Sequence, residues 1–245
     1  IAPGYLADFA VVEDLKDFRV VTVLKKGQIV YENGRVADFP QPEIPAYLQA
    51  LAHDTFHLTP VTAASFAESR PRGVIGMIPG QIVTRDLGYA DGVDLNRDIL
   101  KMAVVERHKK TGHIGIGYLH GYGLRSGAVA TSVAHDSHNI IVVSTNDDDM
   151  ALAVNQIAAR HGGIVVVDGG QVLSALTLEI AGLMSEQPLP EVNRQLEQAK
   201  AAAHRMGVSP GIDPFMTLSF MSLPVIPALK ITTHGVFDVE QWKYI

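Results

Sequence analysis

The sequence predicts an α/β protein: a mixed sheet with flanking helices. Short β-branched runs recur along the chain, three longer stretches repeat apolar residues at helical spacing, and turns bearing glycine or proline punctuate both. With 245 residues, 47% hydrophobic and 19% charged, the chain can bury a substantial core in one large domain or two modest ones. No repeat at a fixed period is evident.

Residues 8–36 read as β structure in three runs, "DFAVV", "FRVVTVLKKG" and "QIVYENGRV". Lys26-Gly27 and Asn33-Gly34 supply tight-turn signals between and within them. Three strands do not make a stable domain alone, so this segment is expected to complete a sheet elsewhere and to expose unpaired edges. Residues 39–47, "FPQPEIPAY", carry three prolines in nine positions and resist helix and sheet alike. A linker is expected there, dividing residues 1–38 from a second domain over 48–245.

In that second part, "GVIGMIPGQIVTRDL" supplies apolar runs around Pro79-Gly80. Residues 94–110 read as a helix with Asp94 as N-cap and Ile99, Ala103 and Val104 on one face. The basic "ERHKK" before Gly112 then reads as its solvated C-terminal end. "HIGIGYL" and "GAVATSVA" read as strands joined by "HGYGLRSG", whose glycine spacing fits neither a phosphate-binding loop nor a dinucleotide fingerprint. A strand over 140–144 leads to a helix over 147–161, with three acids in its first turn and Met150, Val154, Ile157 and Ala158 on its apolar face. The acids of "NDDDM" lack the spacing of a calcium loop. "GGIVVVDGGQVLSALTL" reads as a hairpin turning at Asp168-Gly169-Gly170. "LPEVNRQLEQAKAAAHRM" is an amphipathic helix presenting Val192, Leu196, Ala203 and Met206.

Composition excludes several functions. A net charge of −6 with scattered basic residues argues against nucleic acid as a partner. No apolar run approaches the roughly 18–20 residues of a membrane span. The absence of cysteine removes disulfides, thiolate zinc sites and cysteine nucleophiles. It fits a reducing compartment, and a cytoplasmic location is expected. The chain opens on Ile1 in mid-phrase, "IAPGYLADFAVV", so a fragment, or a chain whose earlier part was removed, is expected.

Chemistry-bearing side chains concentrate in His135, Asp136, Ser137, His138 and Asn139. Adjacency does not make a catalytic triad, which draws converging side chains from separate segments. Histidines three apart could ligate one metal on a helical turn, but on a strand they face opposite sides. Three readings therefore stand: a self-contained metal site, a polar turn satisfying backbone groups, or a loop reaching into a site built mostly by something else. His53 and His57 are four apart but lack the central glutamate of a zincin motif, and read as surface or interface residues.

A resemblance bears on these alternatives. The opening "IAPGYLADFAVVEDLKDFRVVTVLKKGQIVYENGRV" resembles the closing strands of the small β-sandwich in amidohydrolase-superfamily enzymes, with its "G-x-x-A-D" segment. "SVAHDSHNI" and "MTLSFMSLPVIP", with their flanks, resemble the C-terminal domain of the bacterial adenine deaminase family. Together these similarities extend over nearly the whole chain. They imply a fold made of the end of a β-sandwich followed by an α/β domain, and hydrolytic deamination of adenine to hypoxanthine and ammonia in purine salvage or adenine catabolism. In the family, divalent metal, manganese or iron, sits in a (β/α)8 barrel and activates the attacking water. Adenine is then the substrate of the complete enzyme, the barrel a missing partner domain, and a homo-oligomer is expected.

The sequence departs from that pattern in one respect. It contains no His-x-His pair, and the barrel that would carry the metal ligands is absent. No ligand position is carried over, no metal is expected in this chain, and the chain alone is expected to be inactive. His135, Asp136, Ser137, His138 and Asn139 become candidates for a loop that caps the barrel mouth and hydrogen-bonds purine ring nitrogens. The alternatives are a non-catalytic module of the same fold for ligand binding or oligomer contact, and an independent hydrolase using His135, Asp136 and His138.

Overall fold

Residues 1–38 and 43–245 are described by a computed structural model; residues 39–42, the first part of the expected proline-rich linker, lie outside the described residues. The chain forms two units, Ile1–Pro45 and Ala46–Ile245.

In the first unit, β1 (Phe9–Val12), β2 (Val20–Lys25), β3 (Gln28–Glu32) and β4 (Arg35–Val36) make an antiparallel meander in that order. Sequence reading found three of these strands and left the short fourth inside the third run. Both two-residue turns place their central residues at positive φ: Lys26 at 50° and Gly27 at 78°, Asn33 at 53° and Gly34 at 79°. This is the backbone of the hairpin turn whose twist matches the strands. Asp8, the last residue of the "GYLAD" segment, ties the chain's entry to the first turn. Its carboxylate accepts from the Lys26 backbone N–H at 2.7 Å and the Lys25 ammonium at 2.5 Å, and holds a lowered pKa through those contacts. None of the four strands carries a fully buried residue, and Val11, Ile29 and Val36 are exposed.

The second unit begins with α1 (Ala46–His53), followed after a short 3-10 turn by β5 (Arg72–Met77) and β6 (Thr84–Ala90). Then come β7 (Ile99–Val105), β8 (Ile114–His120), β9 (Ala128–Thr131), β10 (Ile140–Ser144) and α2 (Asp147–Ala159). The hairpin β11 (Gly163–Asp168) and β12 (Gln171–Thr177) precedes α3 (Leu189–Arg205) and α4 (Pro214–Met221). A small antiparallel sheet of β13 (Leu229–Thr232), β14 (Gly235–Asp238) and β15 (Lys243–Tyr244) ends the chain. The large sheet runs β12-β11-β9-β10-β7-β8-β5-β6, antiparallel throughout except for the β5–β8 pair. The α/β class with a mixed sheet and flanking helices is thus as the sequence predicts, and no sheet among the described residues closes into a barrel.

Two layers cover the sheet. Leu100, Met102, Val104, Ile141 and Val143 pack with Ala203, Phe215, Leu218 and Ile231 on one face. Ala103, Val105, Ile140 and Val142 pack with Met150, Val154 and Ile157 of α2 on the other. The central strands β7, β9 and β10 are therefore buried at every position.

This two-sided burial overturns the expected helix over residues 94–110. Asp94 caps only a three-residue 3-10 turn, accepting from Asn96 N and Arg97 N, and Asp98 ends it in the left-handed region at φ 51°. Ala103 and Val104, expected on one helix face, point into opposite layers. A run that is apolar at every position but Lys101 has no periodicity to separate a two-faced strand from a buried helix. Nor is "ERHKK" a helix end. It begins the β7–β8 connection, with Glu106 accepting from His108 N, Lys109 N and Thr111 N.

The first-turn acids of α2 also divide their roles. Asp147 pairs with the buried Lys101 ammonium at 2.6 Å, Asp149 is buried, and Asp148 is exposed. Among the described residues no helix is long and apolar enough to cross a membrane.

Candidate functional site

Residues 132–139 connect β9 to β10, and their conformation is dictated from both sides. Ser132, fully buried, donates to Gly182 O at 2.6 Å and accepts from Gly163 N at 2.8 Å. His138 N–H closes one turn onto Ala134 O at 2.6 Å, and His138 itself takes φ 49°. A residue with a β-carbon in that region costs about 1–2 kcal/mol, so neighbouring contacts must hold it there.

One set of contacts comes from α4. Asp213 caps this helix, accepting from Phe215 N and Met216 N at 3.0 and 2.9 Å, and Pro214 fills its first position, where no N–H is needed. The helix then offers Ser219 O to His135 N–H at 3.1 Å, and Ser222 Oγ donates to His135 O at 3.0 Å. The Phe220 ring lies 4.9 Å from the His135 ring, centre to centre, and the His138 ring stands edge-on to His135 at 6.1 Å. "SVAHDSHNI" and "MTLSFMSLPVIP" are thereby joined; Ser222 and His135 lie 87 positions apart in the chain.

The other set comes from Arg107, which is 1% exposed although its neighbours Lys109 and Lys110 are solvated. Its Nε donates to His138 O at 2.5 Å, Nη1 to Thr55 O at 2.8 Å, and Nη2 to Ala181 O at 2.9 Å. The guanidinium carbon sits 4.2 Å above the centre of the Phe56 ring. Burial draws its pKa down to about 10, so it is charged at neutral pH. No carboxylate pairs with it among the described residues; three carbonyls and an aromatic face take that place. The desolvation of such an ion costs several kcal/mol, which those contacts offset.

Of the five candidate residues, the structure sets the His135 and His138 rings edge to face and gives the other three different surroundings. Asn139 is buried and spends its Oδ1 on the Arg107 backbone N–H at 3.3 Å. Asp136 and Ser137 are exposed, and Ser137 offers only its backbone oxygen, to His108 Nε2 at 2.8 Å. The His138 imidazole is held below the usual histidine range by burial first, then by His135, Arg107 and His108, with Asp136 opposing. Two buried side-chain atoms among the described residues have no hydrogen-bond partner, His138 Nδ1 and Ser219 Oγ, and both belong to this loop-and-helix junction. Unpaired buried polar atoms of this kind cost roughly 1–3 kcal/mol each, and they single this junction out.

A divalent metal does not fit these residues. A site needs roughly three convergent ligands; His135 and His138 supply two, and the exposed Asp136 carboxylate does not gather with them into a third. Among the described residues no group of three or more His, Asp or Glu side chains gathers to hold an ion. What the junction can do is exchange hydrogen bonds through two imidazoles beside an aromatic ring.

Neither His53 nor His57 bonds to residues 135–139; His57 meets the junction only through its neighbours, its N–H donating to Arg107 O at 2.7 Å and its Nδ1 lying 3.1 Å from His108 O. His53 ends α1 and meets Glu186 at 3.0 Å, while His57 lies beyond the helix and meets Asp54 at 2.9 Å, which raises its pKa. Sequence reasoning missed Arg107 and Phe220. Nothing in the basic cluster marks one of its cations as buried. Phe220 lay in a segment already singled out by resemblance, but its pairing with His135 is a tertiary contact.

Residues 81–243 match the family described as the adenine deaminase C-terminal domain. The chain is also 44% identical over 254 residues to an adenine deaminase of Nitratidesulfovibrio vulgaris strain DP4, which covers 100% of this chain and 44% of that relative. It is 42% identical over 257 residues to adenine deaminase 2 of Carboxydothermus hydrogenoformans, again 100% of this chain and 44% of the relative. With the adenine deaminase of Brucella abortus strain 2308 it shares 40% identity over 255 residues, 100% of this chain and 42% of the relative. The chain thus spans less than half the length of these curated relatives.

Proposed function

The chain belongs to the adenine deaminase C-terminal domain family, and from that premise we propose that it is the C-terminal part of a metal-dependent adenine deaminase. The complete enzyme converts adenine and water to hypoxanthine and ammonia in the cytoplasm, with adenine as its small-molecule substrate. Its metal centre, binding manganese or iron, belongs to the part of the protein outside this chain. The four-stranded first unit is the closing portion of a β-sandwich of the amidohydrolase type.

Within this scheme the β9–β10 connection caps the site where adenine reacts. The observation that carries this role is the pair of unpartnered buried atoms among the described residues, His138 Nδ1 and Ser219 Oγ, at a junction where the two most family-like segments meet. His135 and His138 present imidazoles able to bond purine ring nitrogens and so orient the base; Asn139 and Ser222 hold the loop from behind.

The test compares this chain with the complete protein in an ammonia-release assay on adenine, with elemental analysis of both. The expected result is turnover and bound metal in the complete protein and neither in the chain alone. Metal-dependent turnover by the 245 residues by themselves overturns the proposal.

A further inference from the structure

Arg107 is a costly residue to keep where it is. An apolar side chain of similar length fills the same space without burying a charge. What an arginine adds is a planar fork of donors with fixed directions. Here that fork reaches three separate pieces of backbone: Thr55 beyond α1, Ala181 in the turn after β12, and His138 in the β9–β10 connection. A fourth tie comes from its own N–H, which donates to Asn139 Oδ1. Two of the four thus converge on consecutive residues of one loop, at the point where the backbone enters the left-handed region.

We propose that Arg107 is the positioning residue of the adenine-capping loop, clamping the His138 carbonyl and Asn139 so that the His138 ring keeps Nδ1 enclosed and offers Nε2 to the substrate. The proposal rests on the reading that this loop meets adenine. With Nδ1 enclosed and unpartnered, the ring proton belongs on Nε2, where a partner can reach it, and the imidazole acts there as a donor to a purine ring nitrogen. His135, Arg107 and His108 disfavour a second proton and Asp136 favours one; Phe220 and Ser219, packed against the loop from α4, carry no charge.

The experiment separates positioning from mere support. In this chain, Arg107→Lys and Asn139→Ala are compared with wild type by NMR titration of His138 Cε1–H and by thermal melting. In the complete deaminase, the same two variants and His138→Ala are assayed for kcat and KM across pH. Releasing the clamp lets water reach the ring, so the His138 titration is expected to move up towards the ordinary histidine value in both variants. The acid limb of kcat/KM should move with it, and kcat/KM per folded molecule should fall on the order of 10- to 100-fold in Arg107→Lys. Should Arg107→Lys not fold, Asn139→Ala decides by the same titration. An unmoved His138 titration in the folded variants overturns the role of Arg107. A titration that moves while His138→Ala leaves kcat/KM untouched keeps Arg107 as the loop's clamp and refutes the adenine contact instead.

Discussion

Two turns lie at opposite ends of neighbouring strands and are built on different principles. Asp168–Gly170, between β11 and β12, is closed by its own domain: the buried Asp149 carboxylate accepts from Gly170 N at 2.8 Å, Gly169 N at 3.2 Å and Asn146 Nδ2 at 2.9 Å. Its positive φ angles, 56° and 76°, fall on glycines, which take them at no steric cost. The connection from β9 to β10 instead puts a histidine at positive φ, exposes a carboxylate and a hydroxyl, and leaves an imidazole nitrogen enclosed without a partner. The first turn is complete in itself. The second holds polar groups that its own contacts leave unpartnered, and strain of that kind gathers where ligands act.

The sharpest way to break the comparison is to remove one side chain from each turn. In the complete enzyme, His138→Ala is expected to lower kcat/KM on the order of 100-fold through lost positioning, with metal content and melting temperature nearly unchanged. Asp149→Ala should leave kcat/KM per folded molecule where it was. If His138→Ala lowers stability by about 1 kcal/mol or more while activity persists, the β9–β10 connection is only another structural turn.

The next effect is on stability. Asp149→Ala strips a buried charged acceptor from two backbone N–H groups, which costs about 3 kcal/mol in denaturant unfolding, given roughly 1.5–3 kcal/mol for each bond to a charged group. A loss under about 1 kcal/mol would show that the hairpin does not depend on this carboxylate.

A smaller effect depends on pH. The folded pKa of His138 lies below its ordinary 6.5. Between those two values the unfolded chain binds more protons than the folded one, so stability rises with pH across the window and is lost as pH falls through it. Denaturant midpoints from about pH 7 to about pH 5 should therefore fall less steeply in His138→Asn than in wild type. Equal slopes in wild type and His138→Asn would show that burial of this imidazole contributes nothing.

The smallest expected change is a control on the helix that serves the closed turn. Asp148 is the exposed acid of the three in α2's first turn. Its replacement by alanine should alter stability by no more than about 0.5 kcal/mol, the usual range for a surface position. A loss comparable with that of Asp149→Ala would mean that the helix terminus, not the buried carboxylate, sustains the turn.

Local chemistry alone determined several parts of this protein. Lys26-Gly27, Asn33-Gly34 and Gly169-Gly170 announce their turns because few residues accept positive φ, and such a preference acts within two positions. The helices α2 and α3 were legible because each buries one stripe only, so the 3.6-residue period survives in the order of residues. The cluster from His135 to Asn139 was visible as a concentration of polar types between two apolar strands. Their division of labour was not, since Asn139 turns inward and Asp136 outward for reasons set by Arg107, Ser219 and Ser222. Tertiary structure decided β7 as well: covered on both faces, its run of apolar residues keeps no period, and only the pairing with β8 and β10 makes it a strand. It also decided Arg107. A cation's burial depends on which carbonyls converge on it, and Thr55, His138 and Ala181 come together only once the sheet and its flanking turns are in place.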